Sequence, residues 1–219
     1  MGPGAVLIHK DAWFAGNFTT NISMSRAAEI SRRTRETQVT VAVDLDGGEV
    51  SASTGVGFLD HMLELLGRHG RLGLRVEAQG DLETGAHHTV EDVGIALGQA
   101  LDRALGDRAR VRRFGYMAVP MDEALGMCAI DLSGRPLCLF EADLPPVSIA
   151  SFDSELAEEF FRAVATSAKL TLHLGTRYGS NAHHMIEACF KSFARALREA
   201  VSIDPAEPGI PSTKGTLTG

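Results

Sequence analysis

Two stretches of the chain repeat the same set of chemical groups. Ala86-His87-His88-Thr89-Val90-Glu91 and Ala182-His183-His184-Met185-Ile186-Glu187 each set two imidazoles ahead of a carboxylate. With 8 histidines in 219 residues, composition alone yields one His-His-x-x-Glu about 0.02 times, so two in matching surroundings are a signal. On a helix, residues four apart share a face, which lets His87 converge with Glu91 and His183 with Glu187. Adjacent helical residues point about 100° apart, so neither His-His pair easily chelates one ion by itself. The economical arrangement is two metal ions, each drawing ligands from both helices. Imidazole with carboxylate suits borderline divalent ions such as manganese, iron or zinc, and a motif without thiolate argues against a structural zinc site. The preceding helix in each half adds one candidate ligand, His61 beside Asp60 and Glu159 beside Glu158. His173 is a nearby alternative donor that the repeat alignment does not favour.

These groups need helices to carry them and strands to hold the helices. Apolar spacing predicts helices over 58–69, 88–105, 154–167 and 183–201. Gln38–Leu45 alternates and is rich in Val and Thr, which predicts a strand; Asp46-Gly47-Gly48 reads as a turn and Glu49–Thr54 as its partner strand. Leu72–Ala78 reads as another strand. The pattern then restarts with strands at 114–119, 125–132 and 136–142, a Ser133–Pro136 turn between the last two, and a strand at 170–174. Each half therefore runs strand group, helix, strand, long helix. The second histidine motif follows the first by 96 residues (183 − 87), which points to an internal duplication. The expected organisation is an N-terminal extension over 1–30, mobile and without a catalytic role, repeats over 31–109 and 110–204, and a Pro-containing tail over 205–219.

Composition narrows the partners. The net charge of −7, from 21 basic and 28 acidic residues, disfavours nucleic acid but leaves room for a local cationic pocket. No apolar run approaches the ~20 residues of a membrane span. Three cysteines, Cys128, Cys138 and Cys189, fit no zinc spacing and read as buried reduced thiols of an intracellular, cytoplasmic protein.

The chain also resembles a known family, the imidazoleglycerol-phosphate dehydratases of histidine biosynthesis. The resemblance is carried by Arg33-Thr34-Arg35-Glu36-Thr37, Gly57-Phe58-Leu59-Asp60-His61-Met62-Leu63 with His69-Gly70, Ala86 through Asp92, and Arg113-Phe114-Gly115. It continues through Pro120-Met121-Asp122-Glu123-Ala124, Asp131 through Pro136, Asn181 through Glu187 and Pro211-Ser212-Thr213-Lys214-Gly215. It implies an α+β fold of two similar small units, each a mixed, mostly antiparallel four-stranded sheet backed by two helices, like the second domain of ribosomal protein S5. It further implies a manganese-dependent lyase assembled as a homo-oligomer of twenty-four subunits with active sites between chains. One manganese would take His61, His88, His183 and Glu187. The other would take His87, Glu91, His184 and Glu159, the last a departure from the histidine many family members carry.

The substrate implied is a small phosphorylated imidazole, D-erythro-imidazoleglycerol phosphate. Glu36 resembles the family's acid–base residue, and His69, Arg113, Arg135, Lys191, Ser212 and Lys214 match its phosphate contacts. The tail would then fold over the site as phosphate binds. Two other classes stand beside this reading. A di-metal phosphohydrolase would usually be rich in loop aspartates. A metal-storage bundle would carry Glu-x-x-His on helices without intervening strands.

Overall fold

The structure is a computed structural model that describes residues 25–217. Most of the expected N-terminal extension, residues 1–24, lies outside the described residues, as do 218–219. The first strand, β1 (Ala27–Arg33), starts ahead of the boundary expected at residue 31. The first repeat continues with β2 (Thr37–Asp44), β3 (Val50–Ser53), α1 (Gly57–Gly70), β4 (Gly73–Gly80) and α2 (His87–Leu105). The second holds β5 (Phe114–Met121), β6 (Ala124–Asp131), β7 (Leu137–Glu141), a small hairpin of β8 (Ser148–Ile149) and β9 (Phe152–Asp153), α3 (Leu156–Ser167), β10 (Thr171–Tyr178) and α4 (Ala182–Val201).

The two sheets have the same topology. Their strand orders are β1-β2-β4-β3 and β5-β6-β10-β7. In each, the last-named edge strand pairs parallel with its neighbour while the other pairs are antiparallel. This corrects the expected hairpin between β2 and β3. β3 crosses over through α1 to lie parallel to β4, and β7 does the same through α3 to β10. Parallel neighbours require such a crossover. β1 had given no alternation because Ile30 is its one buried residue.

Helices α1 and α2 pack on the first sheet, α3 and α4 on the second, and the helical layers meet as α1 against α4 and α2 against α3. One apolar core runs through this sheet–helix–helix–sheet stack. The burial pattern shows the duplication directly. Phe58, Leu59, Met62, Leu63, Leu66 and Gly67 of α1 correspond to Leu156, Ala157, Phe160, Phe161, Val164 and Ala165 of α3, each 98 residues on (156 − 58). On this register His61 corresponds to Glu159. The long helices match at 96 residues, because the β4–α2 connection, with its 3-10 turn Leu82–Thr84, is longer than the β10–α4 connection.

Glycine sets how closely the layers approach. A Cβ on Gly94 would lie 2.9 Å from the Phe160 carbonyl oxygen, and one on Gly98 2.6 Å from that of Val164. α2 and α3 therefore run side by side at backbone contact, with Glu91 one turn ahead of Gly94 and level with the start of α3.

The C-terminal segment is pinned along its length. Arg110 N donates to the Gly209 oxygen at 2.6 Å, Arg113 Nη1 to the Pro211 oxygen at 2.9 Å, and Arg108 Nη1 to the Leu217 oxygen at 3.3 Å. Arg108 is buried, and its guanidinium also pairs with Asp102 and with the carbonyls of Leu132, Ala168 and Lys169.

Candidate metal centre

Asn181 starts α4 by accepting hydrogen bonds from the His183 and His184 amides at 2.9 and 3.4 Å. This N-cap satisfies donors that the first helical turn leaves free. The His183 and His184 rings stand nearly perpendicular, 76° apart with centroids at 6.0 Å; His87 and His88 stand at 85° and 6.1 Å. The adjacent imidazoles of both motifs thus point in different directions, as helical geometry requires.

The inward-turned ring of α4 finds partners on α1. His183 Nε2 lies 3.2 Å from Glu187 Oε2, and His61 Nε2 lies 3.8 Å from the same oxygen. Phe58 supports the His183 ring edge-on at 5.0 Å. His61, His183 and Glu187 each offer a ligand atom within 4.8 Å of the others, the one such group among the described residues. Glu187 is buried, with its other oxygen 2.5 Å from Lys191 Nζ. Burial pushes its carboxyl pKa up, but Lys191, His183 and His61 outweigh that and hold it below the usual carboxylate value. A carboxylate between two imidazoles is a donor set that fits a borderline divalent cation.

The corresponding group of the first repeat is more open. His87 Nε2 and Glu91 Oε2 are 4.0 Å apart, both well exposed. Glu159 is half-buried, and its carboxylate makes no hydrogen bond or ion pair with another described residue. These three occupy positions equivalent to His183, Glu187 and His61 but are not drawn together in the same way. His173 lies on the outer face of the second sheet, between buried Leu172 and Leu174, and is turned away from the helices.

The second histidine of each motif meets an acid that motif spacing had not singled out. His88 Nδ1 lies 3.0 Å from Asp81 Oδ2, and His184 Nδ1 lies 2.7 Å from Glu123 Oε2. A carboxylate at Nδ1 fixes the tautomer and leaves Nε2 free for a metal. Glu123 also accepts from the amides of Ser180 and Asn181. Its bond to His184 and these amides bring its pKa down to about 2, and it raises that of His184 in return. Glu123 stood inside a matched motif, Pro120 through Ala124, so its presence was legible but not its target.

The expected phosphate contacts fall into two groups. His69 and Lys191 sit by Glu187, and burial together with the charges of Lys191 and Arg195 lowers the His69 pKa. Arg113 and Arg135 gather at Asp131, 2.7 and 3.7 Å from its oxygens. The Arg113 guanidinium is engaged at all three nitrogens, by Asp131 and the Pro211 carbonyl. Arg135 is largely exposed. Ser212 Oγ accepts from the Lys214 amide at 3.2 Å, and Lys214 itself is exposed. Glu36 stands exposed at the tip between β1 and β2, where its carbonyl accepts from the Asp81 amide at 3.1 Å.

Comparison with known proteins supports the same reading. The family model described as imidazoleglycerol-phosphate dehydratase matches residues 54–197. The imidazoleglycerol-phosphate dehydratase of Azorhizobium caulinodans is 57% identical over 196 residues, 89% of this chain and 100% of the relative. That of Symbiobacterium thermophilum is 55% identical over 90% of this chain and 96% of its own. The crystal structure of the imidazoleglycerol-phosphate dehydratase from Staphylococcus aureus is 43% identical, with a TM-score of 0.75 over 81% of this chain and 99% of that one.

Proposed function

The chain belongs to the imidazoleglycerol-phosphate dehydratase family, and from that premise we propose how its residues dehydrate the substrate. Its reaction is that of a hydro-lyase of histidine biosynthesis (EC 4.2.1.19), converting D-erythro-imidazoleglycerol phosphate to imidazole acetol phosphate and water. The observation that carries the site assignment is the convergence of His61, His183 and Glu187 between α1 and α4.

We assign two manganese ions. His61, His183 and Glu187 would hold one, completed by His88. His87, Glu91 and Glu159 would hold the other, completed by His184. His88 and His184 are turned toward Asp81 and Glu123 instead of toward the groups they complete. That supports their serving a site shared with another subunit. The exposed apolar face of the second sheet, with Phe114, Tyr116, Leu139 and Tyr178, supports assembly into the twenty-four-subunit particle. The free thiols suit the cytoplasm, where we place the enzyme.

When bound, the metals supply Lewis acidity to the imidazole ring of the substrate. The chain supplies the rest. Glu36 takes the proton from the carbon that bears the second hydroxyl, acting as general base. The hydroxyl next to the ring leaves and, with the proton that Glu36 took, departs as water, and the resulting enol becomes the ketone. Arg135, Lys191 and Lys214 offer charge to the phosphate, the arginine through paired donors. His69, Arg113 and Ser212 complete that pocket.

The test is turnover of imidazoleglycerol phosphate by protein stripped with a chelator and reloaded with manganese. Ketone formation that disappears on stripping and returns on reloading is expected. Release of inorganic phosphate in its place would support the phosphohydrolase reading. Gel filtration of the stripped sample should show smaller species, and a particle that keeps its full size would contradict ligands shared between subunits.

A further inference from the structure

The base assigned above sits on a hairpin tip that has no core of its own. Thr34-Arg35-Glu36 joins β1 to β2, and Arg35 and Glu36 are exposed. Something must fix this tip relative to the histidines of α2. The structure provides Asp92, the residue after Glu91, which is buried although it is ionisable. Its Oδ1 accepts from Arg32 Nε at 2.8 Å. Its Oδ2 accepts from the Thr37 hydroxyl and from that of Thr34 at 3.5 Å. The Thr34 hydroxyl in turn accepts from the amides of Glu36 at 3.2 Å and Thr37 at 3.0 Å. One carboxylate on α2 therefore gathers side chains from both ends of the tip, and through Thr34 it reaches the Glu36 backbone.

The duplication provides an internal control. The residue of α4 that corresponds to Asp92 is Ala188, buried with no polar group (188 − 92 = 96). The second hairpin tip, Asp122-Glu123, spends its own acid on the Ser180 and Asn181 amides and on His184. That tip is held by its carboxylate. The first tip must leave its carboxylate free for substrate, so the holding group has moved to the helix.

We propose that Asp92 is a positioning residue for dehydration: it clamps the Glu36 hairpin tip to the helix that carries His87, His88 and Glu91. The proposal rests on Glu36 being the base. A misplacement of about 1 Å in a reacting group costs on the order of 10²-fold in rate, and loss of a general base costs about 10²–10⁴-fold.

A double-mutant cycle of Asp92→Asn and Glu36→Gln tests it, with manganese titrations of every variant. Asp92→Asn is expected to lower kcat about 10- to 100-fold, with the Michaelis constant and manganese affinity close to the parent's. In the Glu36→Gln background it should cost nothing further, because groups acting as a unit are non-additive. Losses that multiply, or a loss explained by weakened manganese binding, would overturn the role of Asp92 while leaving Glu36 as the base. An unchanged kcat in Glu36→Gln alone would remove the base and the clamp together. Should Asp92→Asn fail to fold, Thr34→Val cuts the same link at the half-buried tip and enters the same cycle with the same expected and contrary results.

Discussion

The seam between α1 and α4 and the seam between α2 and α3 are copies of one another, yet they hold different charges. In the first, His61 faces His183 and Glu187, and Lys191 closes the cluster from below. In the second, Glu159 stands where His61 would, and the position of Lys191 is taken by Ile95 (191 − 96). One seam offers two imidazoles, a carboxylate and an ammonium; the other offers one imidazole and two carboxylates, with an apolar side chain where the first has its ammonium. A duplicated scaffold can therefore keep its backbone and apolar register while its metal-facing positions diverge. The apolar positions are tied to neighbours on several sides, whereas the metal-facing ones are held by fewer.

The largest effect expected on this comparison comes from the second histidines. His88→Ala and His184→Ala should each abolish dehydration, as measured by ketone formation. Full turnover in either variant would mean that its seam does without a ligand from outside, and the two-metal arrangement would fall. A smaller effect should follow from the acids behind them. Glu123→Gln and Asp81→Asn should each weaken manganese binding about 10- to 100-fold, read by titration. Equal losses would show that the two repeats orient their second histidine alike, and a loss in only one would show that the likeness is of shape alone. The Glu123 contact also sets a pH dependence. Since it raises the His184 pKa, a proton competes with the metal at that ring, and manganese uptake should fall as pH drops through the raised value. Glu123→Gln should shift this fall to lower pH. The smallest change should come from Lys214→Ala, raising the Michaelis constant about 10-fold with kcat little altered, because it would act as a point charge on the phosphate. An unchanged Michaelis constant would take Lys214 out of the pocket.

What the sequence disclosed and what it concealed divides along locality. The four helices were legible because their apolar residues recur within a turn or two. The metal-facing residues were legible because His-His-x-x-Glu is a local pattern on such a helix. Of the edge strands, β3, β5 and β7 were legible as strands and β1 was not, and none disclosed its neighbour. Val50-Ser51-Ala52-Ser53 alternates and reads as a strand, but its parallel pairing with Leu74–Glu77 is set by the crossover through α1. Asp81, Asp92 and Glu123 were equally hidden as partners. Each bonds a residue distant in sequence, or across a turn whose geometry no spacing rule describes. Glu159 could be matched to His61 from the repeat, and the shared burial register of α1 and α3 supports that match.

The arginines that pin the C-terminal segment have a thermodynamic consequence. A free arm spanning 205–219 would surrender about 1–2 kcal/mol of conformational entropy per residue on closing over an anion. Here Gly209, Pro211 and Leu217 are already tied down by Arg110, Arg113 and Arg108. That loss is incurred when the chain folds, and between the posts at Pro211 and Leu217 the amides of Ser212, Lys214 and Gly215 are bonded within the segment itself. Lys214 is presented to an anion from an arc held between two fixed posts instead of from an arm fixed at one.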